Sequence, residues 1–178
     1  LDQIFVNRAA LVPEFSKIVC VSVGFVDPKG DIKKQSFFNS DEKVLLKDAN
    51  TLLNRVDKLG FILCGHNLKN FDIPVLAKRM LINGILPSSI LPSYDTKPWE
   101  IKALDTKELW QFGSFSTIGS LELMCVCMGV ESSKNMEVVG NKVHEAYWKE
   151  QKIEQIKDYC EKDVEVLIKV VEKFYTLS

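Results

Sequence analysis

The chain has 178 residues, 46% of them hydrophobic and 26% charged, with a formal net charge of −1. This length can bury a core without disulfide or metal staples and fits one ordinary globular domain over 1–178. The near-neutral balance excludes attachment to nucleic acid through a broad basic field, although bound ions could still supply local positive charge at a site.

Residues 18–26, rich in β-branched types, predict a buried strand, and Asp27-Pro28-Lys29-Gly30-Asp31 is a turn signal before a second strand at 32–38. Together they predict an antiparallel hairpin. Ser40 is the expected cap of a helix with Asp41 and Glu42 in its first turn and Val44, Leu45, Ala49, Leu52, Leu53 and Val56 on its apolar side. Phe61-Ile62-Leu63-Cys64 predicts a third, short strand. It ends at Gly65-His66-Asn67, and a helix is expected from Phe71 to Asn83-Gly84.

Residues 85–98, with Pro87, Pro92 and Pro98, read as a surface excursion. A fourth strand is expected at 99–104, a helix opening at Asp105-Thr106, and another from Ser120 to Gly129. Residues 131–141 are polar and are expected to be mobile, and two helices, 142–150 and 153–175, complete the chain. A hairpin, then alternating helices and strands, then a helical end predicts an α/β fold with a mixed sheet.

Five cysteines (Cys20, Cys64, Cys125, Cys127 and Cys160) are an odd number without zinc-type spacing. The first four lie in apolar runs and are expected to be buried thiols, which points to a reducing, cytoplasmic setting. The sequence shows neither a signal peptide nor an apolar run of roughly eighteen residues, so no membrane partner is expected. The first residue, Leu1, is read as something other than a native start.

Two carboxylates stand out. In the last helix the stripe Ile156, Cys160, Asp163/Val164, Leu167, Val170/Val171, Phe174 repeats every three or four residues, and Asp163 falls on it with Tyr159 at i−4. Asp72 shares a helix face with Val75 and Leu76. A carboxylate facing a core is costly unless a cation holds it. Each has a plainer reading: Asp72 as an anion in the first turn of a helix, Asp163 as half of an inter-helix salt bridge. Together they point to a hard divalent cation.

Gly65-His66-Asn67-x-x-x-Phe71-Asp72-Ile73-Pro74, followed by Tyr159-x-x-x-Asp163, resembles the second and third motifs of the DEDDy branch of DnaQ-like 3′–5′ exonucleases. The similarity is greatest to the predicted exonucleases related to the proofreading domain of B-family DNA polymerases, and runs from about Ile18 to the end. Leu104-Asp105-Thr106, the Ser120-Leu121 helix start and Gly140-Asn141-Lys142-Val143 also resemble that group.

The resemblance implies a ribonuclease H-like fold, with a mixed central sheet flanked by helices, and two-metal hydrolysis with Mg²⁺ or Mn²⁺. It implies Asp72 and Asp163 as metal ligands and Tyr159 as the residue orienting the attacking water. His66, Asn67 and Phe71 would meet the substrate, with Phe71 stacking on a base of the 3′-terminal nucleotide. The expected partner is a single-stranded DNA 3′ end, with RNA as the other substrate class.

One part of the pattern is absent. The group's first motif, Asp-x-Glu on the opening strand, has no counterpart before Ile18; Leu1-Asp2-Gln3-Ile4 lacks the glutamate. The expectation is that this strand lies upstream of Leu1. The alternative is a catalytically inactive relative that binds nucleic acid or a protein. His144, the Lys33-Lys34 and Lys149/Lys152 pairs, and Trp99, Trp110 and Trp148 read as surface or packing residues.

Overall fold

The computed structural model describes residues 12–114, 119–133 and 143–176. Leu1-Asp2-Gln3-Ile4, most of the 131–141 stretch and the Gly140-Asn141-Lys142 signature therefore lie outside the described residues. The chain divides into two compact units, one of Leu1–Val19 with Asn39–Asp105, the other of Cys20–Phe38 with Thr106–Ser178.

The first unit is organised by helix α1, Glu42–Lys58. Asp41, one residue later than expected, caps it, accepting from the amides of Lys43 and Val44 at 2.8 and 3.3 Å. Leu45, Leu46, Ala49 and Leu53 form its buried face, while Val44 is exposed. Strand β3 (Leu63–Gly65) pairs in parallel with β4 (Ala103–Asp105), with Gly65 opposite Asp105. Both strands are shifted from expectation. Phe61 and Ile62 are exposed rather than paired, and Pro98–Glu100 form a 3₁₀ turn in which the Glu100 carboxylate accepts from the Lys97 amide at 2.8 Å. Proline suits a first helical position better than a ladder, which explains the late start of β4.

Helix α2 runs from Asp72 to Ile82, and Gly84 beyond it adopts φ +69°. Residues 85–98 are not wholly a surface excursion. Ile85, Ser88 and Leu91 are buried, and buried Asn50 of α1 donates to the Leu86 carbonyl and accepts from the Ser88 amide. A Glu42–Arg79 ion pair ties α1 to α2, and Glu42 also accepts from the Ile18 amide and from Asn83.

In the second unit, β1 (Cys20–Val26) and β2 (Ile32–Phe38) form the predicted antiparallel hairpin, with Ser22 opposite Ser36. Asp27 shapes its turn by accepting from the Lys29 and Asp31 amides. Thr106–Gln111, Leu121–Met128 and Val143–Trp148 form α3, α4 and α5, and Ile153–Thr176 forms α6. Ser120 caps α4 and Gly129 (φ +65°) ends it, as its sequence predicts. The core is Met124, Cys125, Val166 and Val170, with Trp110 meeting Phe174 edge to face at 6.3 Å.

The hairpin lies on α6: Ser36 donates to Glu161 at 2.8 Å, and a Cβ built on Gly24 would lie 2.6 Å from Val164. Among the described residues the two strand pairs form separate two-stranded sheets, so no single mixed sheet is seen there. No described helix is long and apolar enough to cross a membrane. Of the cysteines only Cys125 is buried. Cys20 and Cys160 are half-buried, and Cys64 and Cys127 are exposed, because each falls on the open side of its own element.

Candidate functional site

In the first unit, β3 ends at Gly65 and the chain turns through 66–71 into α2. The turn folds tightly onto itself. A Cβ on Gly65 would stand 2.7 Å from the Leu68 Cβ, so only glycine fits there. Asn67 adopts φ +58°, the left-handed region that asparagine tolerates better than most residues. Its carbonyl accepts from the amides of Asn70 and Phe71 at 3.3 and 3.0 Å, and the Leu68 carbonyl accepts from Ile73 at 3.0 Å. His66 and Asn67 are half-buried in this turn, while Phe71, the residue before α2, shows 38% of its surface.

Asp72 opens α2 with an exposed side chain. Protein crowding its carboxyl from one side, aided by the charge of Asp105, pushes its pKa up to about 6, against a lowering contact from its own backbone. The crowding and the exposed surface pull in opposite senses. Water on the open side moderates the shift, and its upward direction is what the arrangement supports.

Asp105 is the residue that the sequence undersold. It is 2% exposed at the end of β4, and its two oxygens accept from the amides of Asn67 at 2.8 Å and Lys69 at 3.1 Å. The sequence signal was present in Asp105-Thr106, where helix capping was the first expectation. A partner nearly forty residues away is invisible to local pattern.

In the second unit, Tyr159 and Asp163 stand one turn apart on α6, both half-buried. Ile156 and Val170 of the expected stripe are buried, and so is Val166, three residues after Asp163 and outside the predicted stripe, so Asp163 does sit on the packed side of the helix. Its partner is a hydroxyl, not a cation: buried Ser133 donates to the Asp163 carboxylate at 2.5 Å. This interaction replaces the salt bridge of the plainer expectation, and nothing in the sequence marked Ser133. The structure thus groups His66, Asn67, Phe71 and Asp72 with Asp105 in one unit, and Tyr159 and Asp163 with Ser133 in the other.

A model of the family described as predicted 3′–5′ exonucleases related to the exonuclease domain of PolB matches residues 10–168. The chain belongs to that family. The match takes in both groups of residues, and membership supports a general exonuclease function within the hydrolases. No curated protein matches the chain.

Carboxylate oxygens are the donors that a hard divalent cation takes, so Asp72 and Asp163 suit one chemically. Their number falls short. Among the described residues no group of three or more His, Cys, Asp or Glu is arranged to hold a metal ion. The described residues alone therefore do not make a complete metal centre.

Proposed function

We propose that this protein is a 3′–5′ exonuclease acting on the 3′ ends of single-stranded DNA, with RNA as a second substrate class, and releasing nucleoside monophosphates. Asp72 and Asp163 serve as metal ligands for Mg²⁺ or Mn²⁺. Tyr159 orients the attacking water through its hydroxyl. Asn67 and Phe71 receive the terminal nucleotide, beside His66, on a ribonuclease H-like framework.

The observation that carries this reading is the turn before α2. An exposed aromatic, Phe71, precedes an exposed carboxylate, Asp72, on a backbone locked from beneath by Asp105. An aromatic face suits stacking on a base, and an exposed carboxylate has access to a cation shared with a phosphate. Membership of a 3′–5′ exonuclease family supports the end of a strand as what that pairing meets.

The test is product analysis with the complete gene product and Mn²⁺ on single-stranded DNA and RNA. Nucleoside monophosphates should accumulate from the first time point, and a blocked 3′ end should stop their release. Internal fragments of intermediate length as first products would overturn the assignment.

A second reading, a binding module without catalysis, is favoured by the absence of a three-residue metal-ligand group among the described residues. It predicts retention of an oligonucleotide or a protein with no hydrolysis in any divalent cation.

A further inference from the structure

Asp105 is too polar and too buried to be filler. It is a carboxylate with 2% exposure, and its two oxygens take two backbone amides of one turn. Burying a charge in that way is costly and is compensated only when the hydrogen bonds are well made. What the two bonds hold is specific. The Asn67 amide is fixed while its φ is +58°, and the Asn67 carbonyl is fixed by the Asn70 and Phe71 amides. Asn67 is thus restrained on both sides of its Cα in a conformation that costs energy for a residue other than glycine. The register Gly65 opposite Asp105 in the β3–β4 pair puts the carboxylate under the turn, and the missing Cβ of Gly65 lets Leu68 close over it.

We propose that Asp105 is a positioning residue for the nucleotide-facing turn: its buried carboxylate sets the left-handed conformation of Asn67, and through it the presentation of Asn67 and Phe71 to a 3′-terminal nucleotide. This rests on the functional reading above and adds a residue to it. Asp105 itself touches no substrate. Its replacement by asparagine keeps the shape but leaves one amide facing an NH₂ group, so one of the two bonds is lost and the turn is free to relax.

The experiment is metal-free, so that binding is read without hydrolysis. The affinity of the complete gene product for a short, 5′-fluorescein-labelled single-stranded oligonucleotide is measured by anisotropy in EDTA. Wild type is compared with Asp105→Asn, Asn67→Ala and the double variant. Asp105→Asn should weaken binding about tenfold, the size of one lost hydrogen bond to a charged group. The double variant should be no weaker than the worse single one, because the two act through one element.

A merely structural role would instead make the two effects additive, and additivity overturns the proposal. Unchanged affinity for Asp105→Asn overturns it too. If that variant does not fold, Asp105→Glu takes its place in the same cycle, keeping charge and both acceptors while displacing the turn. A wild type that binds no oligonucleotide, either in EDTA or with Ca²⁺ present, would overturn the nuclease reading, and this inference with it; a wild type that binds, with an additive cycle, would overturn the inference alone.

Discussion

At the scale of the residue, two carboxylates that look alike in sequence are held in different ways. Asp163 is half-buried and takes a proton donor from Ser133, whereas Asp72 is exposed but crowded and shares its surroundings with Asp105. Because the folded protein raises the Asp72 pKa, the native state keeps its proton to higher pH than the unfolded chain. Stability therefore falls as pH rises from the ordinary aspartate range through about 6, and the deficit persists at neutral pH. Asp72→Asn cannot ionise, so it should raise the melting temperature in EDTA at neutral pH by about 1–3 °C, allowing for screening by water. A fall of several degrees would show that Asp72 is a structural anion. The residues on this turn were legible because they lie within one short stretch. Ser133 and Asp105 were not, since their meaning depends on partners 30 and 38 residues away.

At the scale of the element, helices were read well where caps and apolar spacing agree, as in α4 between Ser120 and Gly129. Strands were read less well. β3 and β4 are three residues each, and three residues carry too little alternation to fix a boundary. What binds the elements was hidden as well. The Glu42–Arg79 pair, both side chains largely buried, joins α1 to α2 across thirty-seven positions. Burial raises the Glu42 pKa, but Arg79, the Ile18 amide and Asn83 outweigh it, and the net direction is downward. With a lowered folded pKa, its contribution is complete above the ordinary glutamate range and is lost as pH falls through the folded value.

Arg79→Ala leaves a buried carboxylate unpaired and should cost about 3 kcal/mol in urea unfolding at neutral pH. The variant's loss of stability on acidification below the glutamate range should be shallower than the wild type's. Equal acid slopes would remove Glu42 from the account. On the other unit, Gly24→Ala puts a methyl group against the stiff Val164 side chain and the Lys33 carbonyl. It should destabilise the packing of the hairpin on α6 by about 1–2 kcal/mol, and an unchanged melting temperature would contradict that close approach.

At the scale of the whole molecule, the family match runs over residues 10–168 and so draws on both compact units. Neither unit alone carries all of the proposed site residues: Asp72 belongs to one, Tyr159 and Asp163 to the other. Under the proposed function, substitution of Asp72 or of Asp163 should each silence activity. The fold class was legible at the coarse level of α/β because the hairpin and helical periodicities are strong. The single mixed sheet was an inference from element order, and order does not specify which strands pair. The proposed activity is degradation of single strands from their 3′ ends, with Asp163 in the site. The most direct measurement is digestion of a 5′-labelled single-stranded DNA by the complete gene product, with Mn²⁺, with EDTA, and with Asp163→Asn. The account predicts a ladder shortening from the 3′ end that EDTA and the substitution both abolish. A ladder that survives Asp163→Asn, or no ladder from the folded wild type, would contradict it.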